Sequence, residues 1–210
     1  MDNEVMKTGT TTVGIVGKDC IVLAADKRAT AGNFIAGKKV EKVLAVDERM
    51  ALTTAGSVSD IQLLVKLVKA ELSLRKLRNN RPNSAKEAAN LVAGLVYRNI
   101  RSFSMIPGIV HFLFAGYDEE GKHLFDIYPD GSITDVDDFV CSGSGGTFAF
   151  GVLDAQYKKD MTEEQCVELA LKAINSALQR DSASGDGIDV VVVNKEGVKK
   201  VYSKELKVNI

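Results

Sequence analysis

A chain of 210 residues, 45% of them apolar and 26% charged, can bury a sizeable core as one domain without disulfides. Its formal net charge of −1 leaves no broad electrostatic footprint for nucleic acid or an anionic membrane, and no apolar run reaches the roughly 18–20 residues that span a bilayer. The three cysteines, Cys20, Cys141 and Cys166, are odd in number and widely spaced, which indicates neither a zinc site nor a disulfide framework. Cys20 and Cys166 sit among apolar residues and read as small core residues, which points to a reducing compartment.

Residues 1–9 are polar and mixed in charge, with no apolar stretch of the secretory kind. Residues 10–17 and 20–26 are β-rich runs joined by Gly17-Lys18-Asp19 and read as a hairpin. Residues 40–46 and 50–55 read as a second strand pair, turning at Asp47-Glu48. These strands are short and strongly apolar, as expected where both faces of a sheet are covered. Two helices follow. Ser59-Asp60-Ile61-Gln62 has the form of a capping box and opens the stripe Ile61, Leu64, Val65, Val68, Leu72. Ser84-Ala85-Lys86-Glu87 is a second box, and its helix carries Ala88, Leu91, Val92, Leu95 and Val96; Pro82 separates the two.

Strands return over 109–117 and 123–128, with a tight turn at Asp130-Gly131 and a short strand over 139–142. Residues 147–157 read as helical, and a third box, Thr162-Glu163-Glu164-Gln165, starts a helix to about Arg180. Residues 188–193 and 198–202 form a last hairpin around Glu196-Gly197. Segregated runs of strands and helix pairs predict an α+β fold: two antiparallel sheets face to face with helix pairs outside.

Several chemistries have no signature here. His111, in an apolar strand, and His123, beside a turn, lack partners at metal-ligand spacing and read as structural or surface histidines. No G-x-S-x-G elbow, Walker A loop or dinucleotide fingerprint occurs. The segment Ser142-Gly143-Ser144-Gly145-Gly146 lacks the Lys-Ser/Thr ending of a phosphate loop.

A hydroxyl nucleophile without histidine needs another base. A chain-terminal α-amine, with a pKa of about 7.7–8.0, is closer to neutral than lysine, and pairing it with a Thr hydroxyl is a recognised activation. Gly9-Thr10-Thr11-Thr12 supplies such a threonine if Thr10 becomes the first residue, and Gly9, without a side chain, permits the strained backbone of an internal attack. Asp26 ends the apolar run Ile21-Val22-Leu23-Ala24-Ala25, where a part-buried carboxylate needs a cation. Adjacent Lys27 points to the opposite face of a strand, so Lys42 and Lys39 are the better candidates. An ordinary surface charge at the strand end is an equal alternative. The segment 179–187 reads as a turn.

Together these pieces resemble the proteasome beta family, archaeal in character, over residues 9 to about 202. The motifs are Gly9-Thr10-Thr11-Thr12-Val13-Gly14, Ala24-Ala25-Asp26-Lys27-Arg28, Thr54-Ala55-Gly56, Ser142-Gly143-Ser144-Gly145, Gly151-Val152-Leu153-Asp154 and Arg180-Asp181-Ser182-Ala183-Ser184-Gly185. The resemblance implies a four-layer αββα sandwich of the N-terminal-nucleophile hydrolase class. It implies a propeptide over 1–9, cut between Gly9 and Thr10, ahead of a single peptidase domain over 10–210. Thr10 would be nucleophile and, once freed, amine base. Lys42 would aid proton transfer, Asp26 would hold Lys42 charged, and the Gly56 N–H would form the oxyanion hole. Ser144, Asp181 and Ser184 would surround the amine. Ala29, Val40, Leu44, Thr54 and Val58 would line the pocket for the residue before the scissile bond. None of these five is charged, which favours cleavage after apolar residues. Thr30 and Val58 would bond an extended substrate as an added strand.

The implied partners are heptameric beta rings, alpha-type rings, an ATP-dependent unfoldase and unfolded protein substrates in the cytoplasm, with no metal or cofactor needed, and no nucleic acid or membrane. The stretches 72–81 and 97–107, mixing apolar and basic residues, are candidate interfaces, with solvated helix ends as the commoner alternative. The rival readings are the two-tiered bacterial relative, a non-catalytic ring subunit and a small-molecule amidase of the same fold.

Overall fold

The computed structural model of the protein describes residues 9–206. In chain order the elements are β1 (Thr12–Val16), β2 (Cys20–Asp26), β3 (Ala29–Ala31), β4 (Phe34–Gly37), β5 (Val43–Asp47), β6 (Met50–Gly56), α1 (Val58–Asn79) and α2 (Ala85–Arg101). They continue with β7 (Val110–Asp118), β8 (Gly121–Ile127), β9 (Ile133–Asp135), β10 (Phe139–Ser142), α3 (Gly146–Gln156), α4 (Glu163–Arg180), β11 (Gly187–Asn194) and β12 (Gly197–Glu205). One antiparallel sheet has the order β10-β1-β2-β11-β12 and the other β5-β6-β7-β8-β9; β3 and β4 form a separate hairpin.

Three apolar clusters hold the layers together. Val13, Ile15, Val22, Ala24, Val190 and Val192 of the first sheet meet Leu153, Leu169, Ala173 and Ile174 of α3 and α4. Leu52, Phe112, Phe114, Phe125 and Ile127 of the second sheet meet Leu64, Val68, Leu72, Val92 and Val96 of α1 and α2. Ile21, Leu23, Ala25, Val43, Ala51, Leu113, Leu124, Val191 and Val193 lie between the sheets. Alternate residues of β2 thus face a helix pair or the opposite sheet, so the whole strand is buried and reads as an unbroken apolar run. The result is the αββα sandwich expected from the segregated elements.

Local signals explain most boundaries. Ser84 accepts from the Glu87 N–H at 3.1 Å while the Ser84 N–H donates to the Glu87 carboxylate at 3.1 Å. Thr162 and Gln165 form the same reciprocal cap on α4. The expected box at Ser59 does not form. The helix already begins at Val58 with Ser57 as N-cap, and the Ser57 hydroxyl bonds the Asp60 carboxylate instead of a backbone N–H. Gly56, with φ of 116°, turns the chain there, three residues before Ser59.

Other expectations shift by small amounts. The strand expected from 40 begins at Val43, because the Val40 N–H bonds the Lys27 carbonyl at 3.0 Å. The hairpin β3–β4 and strand β9 were not anticipated. β3 and β9 have only three residues each, and β4 has four. His111 Nε2 lies 2.6 Å from Asp126 Oδ1 and its ring stacks on Tyr128, while His123 Nε2 lies 3.1 Å from Asp118 Oδ1.

Candidate active site

The first sheet delivers a threonine, an aspartate and two loops to one end of the sandwich. Thr10 lies two residues before the start of β1, and Thr10, Thr11 and Thr12 are all buried. Asp26 closes β2, where antiparallel pairing places Ala25 opposite Thr12. The Thr11 N–H donates to Asp26 Oδ1 at 3.0 Å and the Asp26 N–H to the Thr11 carbonyl at 3.2 Å, which fixes the approach of Thr10 to the end of β2.

Lys42 arrives from the segment before β5. Its carbonyl accepts the Thr54 N–H at 2.8 Å, so β6 holds its backbone. Its ammonium donates to Asp26 Oδ1 at 2.7 Å and to Thr10 Oγ1 at 3.0 Å. Asp26 is 1% exposed and Lys42 4%, so the pair is desolvated. Such a pair persists only when its remaining lone pairs are filled. Asp26 Oδ2 accepts N–H bonds from Arg28 at 3.0 Å and Gly185 at 2.9 Å. Burial pushes the Lys42 ammonium below the ordinary lysine range, and the adjacent Asp26 charge works against that fall. Of the two lysines considered for Asp26, Lys42 makes the contact; Lys39 pairs with Glu205 at 2.8 Å.

The third group comes from the loops around α3 and after α4. Ser144 Oγ and Ser184 Oγ donate to Asp181 Oδ2 at 2.7 and 2.6 Å. The Thr10 backbone N–H donates to Ser144 Oγ at 3.3 Å, and Thr11 Oγ1 lies 2.6 Å from Ser184 Oγ. Asp181 is therefore joined to the Thr10 nitrogen through Ser144 and to the Thr11 hydroxyl through Ser184.

Gly9 packs where no other residue fits: a Cβ there would stand 1.8 Å from the Ala183 Cβ. Its N–H donates to Thr30 Oγ1 at 2.9 Å, and Thr10 Oγ1 donates to the Gly9 carbonyl oxygen at 2.6 Å. The hydroxyl thus lies against the peptide bond that precedes its own residue.

Beside Thr10 opens a cavity of about 260 Å³. Ala29, Thr30, Val40, Leu44, Thr54 and Val58 all line it, together with Gly9, Thr10, Lys42 and Gly56. Sequence reasoning missed Ile61, Val65, Glu41, Gln62 and Lys66 in the same wall. Ile61 and Val65 continue from Val58 at helical spacing along the first turns of α1, a signal that was present but read as the helix's apolar stripe. Glu41, Gln62 and Lys66 are exposed, as is Val58, while Thr10, Lys42, Thr54 and Val65 are buried. Arg28 was also missed. Its Nε donates to Asp186 Oδ2 at 2.7 Å and its Nη1 to the Ser182 carbonyl at 2.9 Å, which ties the loop carrying Asp181 and Ser184 to the end of β2. Two-residue periodicity from Asp26 puts Arg28 on the same face and could have found it.

A four-layer sandwich of two antiparallel sheets between helix pairs is the architecture of the N-terminal-nucleophile hydrolase class. The family model described as proteasome subunit matches residues 6–193. The chain is 44% identical over 199 residues to the proteasome subunit beta of Ferroglobus placidus, covering 95% of this chain and 93% of that one. It is 43% identical over 196 residues to that of Archaeoglobus fulgidus, covering 93% and 90%. With that of Methanosarcina barkeri it shares 42% over 207 residues, covering 99% and 96%. The chain belongs to the proteasome subunit family, on its archaeal-type 20S beta branch.

Proposed function

We propose that this chain is a catalytic proteasome beta subunit, a threonine-type endopeptidase that removes its own residues 1–9 and then uses Thr10 as nucleophile. Residues 1–8 of that leader lie outside the described residues. The observation that carries the reading is the buried Thr10 hydroxyl, 3.0 Å from Lys42 Nζ and 2.6 Å from the Gly9 carbonyl oxygen.

In the first reaction Thr10 Oγ attacks the Gly9 carbonyl carbon, the Gly9–Thr10 amide breaks, and its nitrogen takes a proton to become the free α-amine. Water hydrolyses the resulting ester and releases the leader. In each later turnover the amine accepts the Thr10 Oγ proton as the oxygen attacks a substrate carbonyl. The Gly56 N–H stabilises the developing oxyanion. The amine then protonates the leaving nitrogen, and water, activated by the same amine, hydrolyses the acyl-threonine ester. Lys42, held charged by Asp26, lowers the cost of anionic character on Oγ. Ser144, Asp181 and Ser184 orient the amine.

Ala29, Val40, Leu44, Thr54 and Val58, joined by Ile61 and Val65, give most of the wall apolar or uncharged side chains and favour an apolar side chain before the cut. Thr30 and Val58 bond the substrate backbone. The subunit works in heptameric beta rings with alpha-type rings in the cytoplasm, fed with unfolded protein by an ATP-dependent unfoldase. Support for assembly comes from exposed Leu77 on α1 and exposed Phe103, Met105 and Ile106 after α2, in the stretches singled out from sequence.

The test is to treat the particle with a peptide carrying a C-terminal acylating group after an apolar residue, then map the adduct by mass spectrometry. An adduct on Thr10, absent in Thr10→Ala together with peptide cleavage, is expected. An adduct elsewhere, or cleavage persisting in Thr10→Ala, would remove Thr10 from the mechanism.

A further inference from the structure

Cys20 and Cys166, far apart in sequence, meet in the fold. Cys20 opens β2 directly after the turn from Gly17, and Cys166 lies in the first turns of α4. A Cβ built on Gly17 would stand 2.9 Å from each of the two sulfurs, so both thiols converge beside a residue that has no side chain. The surrounding backbone holds the two elements together: the Gly17 N–H bonds the Cys20 carbonyl at 2.9 Å, and the Lys18 N–H bonds the Met161 carbonyl at 2.8 Å. Cys166 Sγ in turn reaches that Met161 carbonyl at 3.8 Å. Cys20 is 3% exposed and Cys166 0%.

We propose that Cys20 and Cys166 form a reversible intrachain disulfide, made by exchange with a low-molecular-weight disulfide and joining the first hairpin to the start of α4. The two thiols are not equivalent. A hydrogen bond from Cys166 favours the thiolate of Cys20, and the same bond, with burial, holds the proton on Cys166. The thiolate is the nucleophile in exchange. Lys18 and Asp19, directly before Cys20, are exposed, so Cys20 lies beside the surface. Cys20 Sγ attacks one sulfur of the small disulfide and expels the other as a thiolate, leaving a mixed disulfide on Cys20. Cys166 then gives up its proton and attacks Cys20 Sγ, expelling the second small thiolate. The two protein protons end on the two released thiols, and the small disulfide is the oxidant. Cys141 takes no part: it lies on β10, and burial pushes its thiol up and keeps it protonated.

The bridge closes a long loop and restricts the unfolded chain while joining groups already together in the folded one. It sits at the far ends of β1–β2 and α4 from Thr10 and Asp181, so stability changes and catalysis does not.

The experiment incubates the full chain with glutathione disulfide, alkylates the remaining thiols under denaturing conditions, maps the peptides and measures the unfolding midpoint. A parallel sample is refolded from urea in a glutathione redox buffer. Expected are a Cys20–Cys166 bridge, a free Cys141, and a midpoint several degrees higher that falls back on adding dithiothreitol. In Cys166→Ser, glutathione remains on Cys20 and the midpoint does not rise. A bridge found only in the refolded sample also supports the pairing and puts its formation before burial. Three free thiols in both samples, a bridge to Cys141, or a bridged chain no more stable than the reduced one would overturn the proposal.

Discussion

Two lysine–aspartate pairs lie on opposite faces of the end of β2, and one of them alone reaches the Thr10 hydroxyl. Asp26 faces Lys42, and the next residue, Lys27, turns the other way and lies 2.7 Å from the Asp189 carboxylate on β11. Both pairs are buried: Lys27 is 8% exposed and Asp189 1%. The difference lies in what surrounds them. Asp26 collects N–H bonds from Thr11, Arg28 and Gly185 besides the lysine, and Lys42 keeps a donor for Thr10 Oγ1 at 3.0 Å. The Lys27–Asp189 contact is an ion pair at the edge of the layer between the sheets. Identical side-chain chemistry thus stands against a threonine hydroxyl on one face and against none on the other; under the proposed function the first pair handles protons and the second is a structural clasp.

Substitutions should separate the two. Replacing Lys42 by Met removes the cation from Thr10 and should lower peptidase kcat by about 10²–10⁴-fold, measured on an apolar peptide substrate in assembled particles. Lys27→Met should act mainly on stability. It leaves the Asp189 carboxylate buried without its cation, at a cost of about 3–5 kcal/mol in denaturant unfolding. The double variant Lys27→Met with Asp189→Leu should recover most of that loss. A Lys27→Met enzyme as inactive as Lys42→Met, at a temperature where it remains folded, would erase the distinction.

The pH profile sharpens the comparison. Burial lowers the Lys42 pKa from the ordinary 10.5. Its charge is therefore lost earlier as pH rises, and the alkaline limb of kcat/KM should begin below the ordinary lysine range. Asp26→Asn removes the charge that opposes this fall and should move the limb lower still. For stability the sign runs the other way. Between the lowered folded value and the ordinary unfolded one, the unfolded chain binds more protons, so the Lys42 contribution to stability rises with pH across that window. The smallest expected effect is far from the site: Ser84→Ala should cost about 1 kcal/mol by removing the α2 cap, with kcat and KM unchanged.

The two faces of β2 were unequally legible in sequence. The run from Cys20 to Ala25 predicts a buried strand, and the capping boxes at Ser84 and Thr162 predict helix starts, because both signals are local. That Lys27 turns away from Asp26 follows from a two-residue period. Its partner Asp189 lies across the sheet, and no local pattern pairs the two. The box at Ser59 misled because a positive-φ glycine upstream had already started the helix. Ile61 and Val65 of the pocket wall were visible as a periodicity but were read as the helix's apolar stripe, and Arg28 was read only as part of a motif. The meeting of Cys20 with Cys166 depends on how α4 lies on β2, and long spacing alone argues against it.

The most direct test of the central claim is the intact mass of the chain before and after mixing with its alpha-type partner, for the native protein and Thr10→Ala. Loss of residues 1–9 on assembly in the native protein alone is predicted, exposing the Thr10 amine as peptidase activity appears. A particle that cleaves peptides with the leader still attached would contradict an amine-activated threonine.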